Sequence, residues 1–308
     1  MNRGKGLFLI CMAACFALIA QAGDSISILC TTFPVYQLTR NLAEGREGIR
    51  VSQLLPPDLG CPHDYSLAPL DMQKISAADV LVINGQGMEE FLGSPALDGH
   101  YRAKVIDSSR GITEFLRDED EADASPAGNG HLHEGVNPHF FSSPRLYGQM
   151  ARSVAEQLSA LDPKGAAIYA RNAQAYQAKM DQLAGEMEEL GARLQNRRIV
   201  TQHGAFDYLA RDMGLEVAAV VQAHPGQEPS AADMLAIIRT IREKGAGGIF
   251  TEPQYPSTMA ETIAREAGVP VAVLDPAATG PANAGLDYYE MIMRRNMTAL
   301  SNILGSKK

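Results

Sequence analysis

The sequence predicts an α/β protein of two lobes, each a parallel β-sheet flanked by helices, joined by one long helix. Three observations carry this prediction. Short β-branched runs alternate with helical segments from residue 26 to 107. The same alternation returns from 198 to 274, with clearer glycine stops. Between the two lies a stretch of about 30 residues rich in Ala, Gln, Glu, Met, Lys and Arg. Strands that alternate with helices build βαβ units, and βαβ units build parallel sheets.

The first residues stand apart from this pattern. Arg3 and Lys5 precede an almost uninterrupted apolar run, Leu7 to Ala20, and Ala20-Gln21-Ala22 is a small-x-small site before Gly23. Residues 1–22 therefore read as a cleaved secretory signal peptide. An apolar run of about 14 residues is short for a membrane span of roughly 20. Lipidation at Cys15 is disfavoured, because Met12-Ala13-Ala14 lacks the usual branched residue and the apolar run continues past it. The mature chain of about 286 residues is long enough for two cored domains. Without Arg3 and Lys5 it holds 25 basic and 36 acidic residues, a net charge of −11. That balance argues against nucleic acid and anionic membrane surfaces as partners and mildly favours gathering cations. Cys30 and Cys61 survive processing; in an oxidising compartment they can pair, or each can remain a separate buried thiol.

In chain order, Ile26 to Thr31 reads as a strand, Val35 to Ala43 as a helix and Val51 to Leu55 as a strand closed by Pro56-Pro57. Asp71 to Ala78 is helical, and Val80 to Asn84 and Lys104 to Asp107 are strands. From Arg117 the composition turns acidic and then rich in Ser, Pro, Gly and Asn, so residues 118–135, with His131 and His133, read as a loop. Ser143-Pro144 supplies an N-cap and a proline at the first helical position. Pro163 to Gln195 is the longest helical pattern; at 1.5 Å per residue, about 30 residues reach roughly 45 Å, more than one small domain spans. Gly185 and Gly191 leave open a break into two shorter helices. Arg198 to Thr201 is a strand, Phe206 to Asp212 a helix stopped by Gly214, and Glu216 to Val221 a strand. Ser230-Ala231-Ala232-Asp233 is a capping-box pattern for a helix to Lys244, stopped by Gly245. Gly248 to Thr251, Thr258 to Ala267 and Val271 to Leu274 complete the series as strand, helix and strand. The lobes are thus residues 23–160 and 197–308, with 161–196 as the linker helix.

His63, His139, His203 and Asp275 are spaced by 76, 64 and 72 residues, too far apart for a local metal-binding loop. His63, His203 and Asp275 follow predicted strands, at the carboxyl ends where open α/β sheets bind ligands, and His139 precedes its helix. Two of the four come from each half, so a cation held between the lobes follows. Neutral imidazoles and one carboxylate suit a borderline-soft divalent ion. His131-x-His133 is a second candidate metal trap in a solvated acidic segment. His100 reads as surface, and His224 sits in a Pro-Gly loop near a strand end.

Pro62-His63-Asp64-Tyr65, Asn137-Pro138-His139, His203-Gly204-Ala205-Phe206, Gln227-Glu228-Pro229-Ser230, Thr251-Glu252-Pro253 and Leu274-Asp275-Pro276 occur in a familiar order and spacing. With Thr31-Thr32-Phe33-Pro34 and Ala78 to Gly85, they make the chain similar to the zinc- and manganese-binding substrate-binding proteins of bacterial ABC importers. It looks most like the high-affinity zinc-uptake kind within solute-binding protein family 9. The resemblance covers essentially all of the mature chain. It implies two α/β lobes on one rigid linker helix, one metal in the interdomain cleft, and His63, His139, His203 and Asp275 as its ligands. It further implies a periplasmic, monomeric protein without enzymatic activity, carrying Zn²⁺ as cargo to a membrane permease driven by a cytoplasmic ATPase. Histidine at the position of His203 marks the zinc type, where manganese-type members usually carry glutamate. A Mn²⁺- or Fe²⁺-binding importer subunit of the same fold remains the alternative, and nothing in the sequence shows a docking face that separates a receptor from an adhesin.

Glu252 reads either as a group holding a ligand imidazole in its tautomer or as an ordinary strand-end carboxylate. Cys61, two residues before His63, is open to a soft ligand, a disulfide to Cys30 or neither. An exported zinc hydrolase would need an open coordination position and a general base; the chain has no H-E-x-x-H pattern, nucleophile elbow or Gly-rich phosphate loop. Ligand histidines must be neutral, so metal affinity is expected to fall below about pH 6.5.

Overall fold

The computed structural model describes residues 25–57, 59, 62, 65–93, 103–117, 135–222 and 228–305. The expected signal peptide with Cys15, then Cys61, His63, His100, nearly all of the acidic segment with His131 and His133, and His224 lie outside the described residues.

Two four-stranded sheets, each fully parallel, form the frame. In the first, β1 (Ile26–Cys30) lies between β2 (Ile49–Gln53) and β3 (Val80–Ile83), with β4 (Lys104–Asp107) outside β3. In the second, β5 (Arg198–Thr201) lies between β6 (Glu216–Val220) and β7 (Ile249–Thr251), with β8 (Val271–Val273) outside β7. Both sheets have the same order. In each, the chain leaves the first strand toward one edge and returns toward the other, and such a reversal opens a crevice at the strands' carboxyl ends. That crevice falls between β1 and β3 in one lobe and between β5 and β7 in the other.

Strand alternation distributes the core. Ile28, Cys30, Val80 and Val82 face one way, onto α1 (Phe33–Ala43) and α3 (Pro144–Leu161). Leu29, Leu81 and Ile83 face the other way, onto a smaller cluster with Leu54 and Ile75 under α2 (Pro69–Ala77). Burial on both faces is the rule for parallel sheets and explains their continuous apolar runs. Cys30 is a free, buried thiol, and burial pushes it up to about 12, which makes it inert.

The long helical pattern is one unbroken helix, α4 (Ala166–Arg193). Its buried residues Tyr169, Ala173, Tyr176, Met180, Leu183, Met187 and Leu190 recur at alternating steps of four and three, which keeps one face on its partners. Gly191 does not break it: a Cβ there would lie 2.0 Å from the carbonyl oxygen of Met213, so the glycine admits a close backbone approach. The helix is shorter than the expected 161–196. Asp162, which holds Arg46 and the Tyr169 hydroxyl, sits in the turn before it, and Leu194 is already extended after it. α4 packs on α1 and α3 and also on α5 (Asp207–Met213) and α8 (Tyr288–Leu304) of the second half. One apolar cluster accordingly runs through both lobes, from Leu38 and Tyr147 to Phe250, Met293 and Leu300.

In the second lobe, α6 (Ala231–Lys244) begins at the predicted capping box, with Ser230 and Asp233 bonded reciprocally, and ends at Gly245 in the left-handed region. α7 (Thr258–Ala267) follows the sequence reading to the residue. α8 has no counterpart in that reading. Its buried stripe of Tyr289, Ile292, Met293, Asn296 and Leu300 includes a polar residue, Asn296, whose amide holds the backbone N–H and C=O of Asp275. Among the described residues no helix is long and apolar enough to cross a membrane.

Candidate metal centre

His203 lies two residues beyond β5 and Glu252 directly beyond β7. These strands are neighbours flanking the crevice, so their ends necessarily bring the two side chains together. Glu252 Oε1 abuts His203 Nδ1 in a contact too poorly aligned to be a good hydrogen bond, and Glu252 Oε2 accepts from Gln254 Nε2 at 2.6 Å. Both His203 and Glu252 are buried.

His139 arrives from the other lobe, at the start of a 3₁₀ turn, Phe140–Ser142; His203 stands at the start of a like turn, Gly204–Phe206. Asn137 Oδ1 accepts from the His139 backbone N–H at 3.0 Å and lies 2.9 Å from His139 Nδ1. The two imidazoles face each other edge to face, centroids 5.2 Å apart at 78°. Two imidazoles on one tetrahedral ion, with Zn–N of about 2.0–2.1 Å, hold their centroids roughly 5 Å apart. Phe141 and Tyr255 flank the pair, with centroids 5.9 Å from His139 and 5.7 Å from His203.

His139 is tied through Nδ1 to Asn137, while His203 Nδ1 only abuts Glu252 Oε1. His203 Nε2 is buried and has no hydrogen-bond partner, an expensive condition that a buried polar atom rarely keeps. The two histidines, Glu252 and Gln254 line a cavity of about 20 Å³, room for one water-sized occupant. Phe33, Met88 and Phe141 form its apolar wall, and Pro62, the residue before His63, also lines it.

Asp275 follows β8 by two residues. Its Oδ1 accepts from the Ala277 N–H at 2.8 Å. Burial pushes its carboxyl up to about 6; the Ala277 N–H opposes this, the nearby charge of Glu252 adds to it and Arg295 opposes it. Asp275 does not itself line the cavity, although Ala278 does. Among the described residues no three His, Cys, Asp or Glu side chains close into a metal shell; what is assembled is the His139–His203 pair with Glu252 behind it. His63, His131 and His133 lie outside the described residues.

Of the residues around the pair, Gln254, Tyr255 and the Asn137 side chain escape a reading of the sequence. Asn137 carries a weak signal, because Asn-x-His before a helical turn is a local side-chain-to-backbone motif.

A sequence profile described as zinc-uptake complex component A, periplasmic, matches residues 28–303. The high-affinity zinc uptake system protein ZnuA of Bacillus subtilis is 29% identical over 319 residues, covering 98% of each chain. The zinc-binding lipoprotein AdcA of Streptococcus pneumoniae is 29% identical over 91% of this chain, which spans 56% of that longer protein. A Zn(II)-bound mutant variant of AdcAII from S. pneumoniae superposes with a TM-score of 0.78 at 26% identity, over 92% of this chain and 99% of that one. FpvC of Pseudomonas aeruginosa, solved with Mn²⁺, gives 0.76 at 30% identity, over 91% and 98%. The match over most of the chain, on two parallel-sheet lobes, places this protein in the family of periplasmic zinc-uptake component A proteins.

Proposed function

We propose that this protein captures Zn²⁺ outside the cytoplasmic membrane and delivers it to a permease driven by a cytoplasmic ATPase, without performing chemistry of its own. The observation that carries the reading is the His139–His203 pair, one ring from each lobe at ion-sharing distance, with both rings lining a cavity that has room for one water-sized occupant and the Nε2 of His203 buried and unpartnered. His63 and Asp275 complete the proposed four-coordinate shell, which leaves no position for a reacting water. Glu252 acts behind His203, holding Nδ1 so that Nε2 ligates. The signal peptide is cleaved after Ala22, α4 serves as a strut between lobes 23–160 and 197–308, and the receptor works as a monomer. His131 and His133 form a secondary, weaker trap. The relatives named for zinc support zinc as cargo, and imidazole-rich shells favour it over manganese. The Mn²⁺-bound neighbour keeps Mn²⁺ as the second reading.

Competition titration of metal-stripped mature protein with Zn²⁺, Mn²⁺ and Fe²⁺ tests the cargo. One zinc site preferred over the other ions is expected, lost in His139→Ala and His203→Ala and turned toward manganese in His203→Glu. Preference of the wild type for manganese, or zinc binding intact without His203, sinks the assignment.

A further inference from the structure

The two proposed ligand rings meet different groups at Nδ1: the carboxylate of Glu252 abuts His203, and the amide of Asn137 bonds His139. An amide can present either its oxygen or its nitrogen, so something must decide which faces His139. Asn137 Nδ2 lies 2.8 Å from the carbonyl oxygen of Gly204 and 2.9 Å from Asp207 Oδ2. A carbonyl and a carboxylate only accept, so the nitrogen must sit there and the oxygen must face His139. The His139 backbone N–H, donating to the same Oδ1, agrees. An Oδ1 acceptor in turn requires His139 to carry its proton on Nδ1. The backbone is fixed as well: Tyr208 donates its hydroxyl to the Asn137 carbonyl at 2.7 Å, and Asn84 donates to the Pro138 carbonyl at 3.0 Å. Gly204 leaves room for this approach, since a Cβ there would come within 3.2 Å of Asp207 Oδ2 and 3.3 Å of Asn137 Nδ2.

Gly204 is the residue after His203, and Asp207 opens α5 in the second lobe. We infer that Asn137 and Asp207 form an interlobe relay of positioning residues. Asp207 orients the Asn137 amide, the amide fixes His139 as the Nδ1–H tautomer with Nε2 available to a cation, and the same amide ties His139 to the turn that carries His203. A single side chain then sets both the chemical form of one ring and its placement relative to the other. This inference rests on the proposed role of the two histidines in binding zinc.

Long-range ¹H–¹⁵N correlation spectra of the metal-free protein near about pH 7.5, where unperturbed imidazole is neutral, read the tautomer directly. The wild type is expected to show His139 as Nδ1–H alone, and Asn137→Ala to show a mixture of tautomers with zinc affinity lower by roughly 10- to 100-fold. Asp207→Ala should shift tautomer and affinity in the same direction by less, and replaces the first variant if that one does not fold. A wild-type His139 protonated on Nε2 overturns the relay, as do variants that keep both the single tautomer and the wild-type affinity. If the wild type shows the Nδ1–H tautomer but binds no zinc, the cargo reading fails and the relay's tautomer assignment stands.

Discussion

His203 is the most constrained residue of the proposed site, because its strand end, its carboxylate neighbour and its unpartnered Nε2 each limit what it can do. Glu252 is buried beside it with no cation among its described contacts, and in the proposed site the carboxylate would raise the ring's power as a ligand. Glu252→Gln is expected to lower zinc affinity roughly 10- to 100-fold with the fold retained, as read by competition with a chromophoric chelator alongside circular dichroism; unchanged affinity would mean that the carboxylate is an ordinary strand-end group. His139, His203 and Asp275 could be picked out because turn residues and strand ends surround them. The part of Asn137 could not, since it depends on Gly204 and Asp207, 67 and 70 residues away.

At the scale of elements, local chemistry wrote most boundaries into the chain. The cap at Ser143, the capping box at Ser230 and the stops at Gly214, Gly245 and Gly268 are local, and the helices they bound match the sequence reading within a residue or two. α8 was illegible because Asn296, a polar residue in its buried stripe, is placed by a tertiary partner. The glycines of α4 give two opposite expectations. A Cβ at Gly185 meets nothing within 4 Å, so Gly185→Ala should stabilise by about 0.5–1 kcal/mol. Gly191→Ala drives a methyl into the Met213 carbonyl and should destabilise by about 1–3 kcal/mol. Denaturant midpoints read both, and equal signs would contradict the packing of α4 on α5.

Across the described residues of the whole molecule, two buried carboxyls are pushed upward by their burial. Burial raises Glu89 to about 7, against donors from Thr31, Gly85 and Asn84 and with a smaller upward push from Asp107; Asp275 rises to about 6. Groups raised on folding bind more protons folded than unfolded, so their contribution is full below the ordinary carboxylate range and is lost as pH rises through about 6 and 7. The metal-free protein should therefore lose stability from about pH 4 to about pH 7, while the gain in Tm on adding zinc grows over the same range, because binding releases protons. Thermal melts with and without zinc check both slopes; parallel slopes would contradict the placement of these groups.

The two-lobe plan was legible because each half repeats its own βαβ rhythm, whereas the apolar cluster shared through α4 was not, since only tertiary contacts join Tyr147 and Tyr176 to Met293. The zinc K-edge fine structure of protein loaded with one equivalent reports the atoms around the cation directly. Only nitrogen and oxygen neighbours at about 2.0–2.1 Å are expected, with imidazole scattering that weakens in His203→Ala. A sulfur neighbour at about 2.3 Å, or an oxygen-only shell without imidazole, would contradict the proposed site.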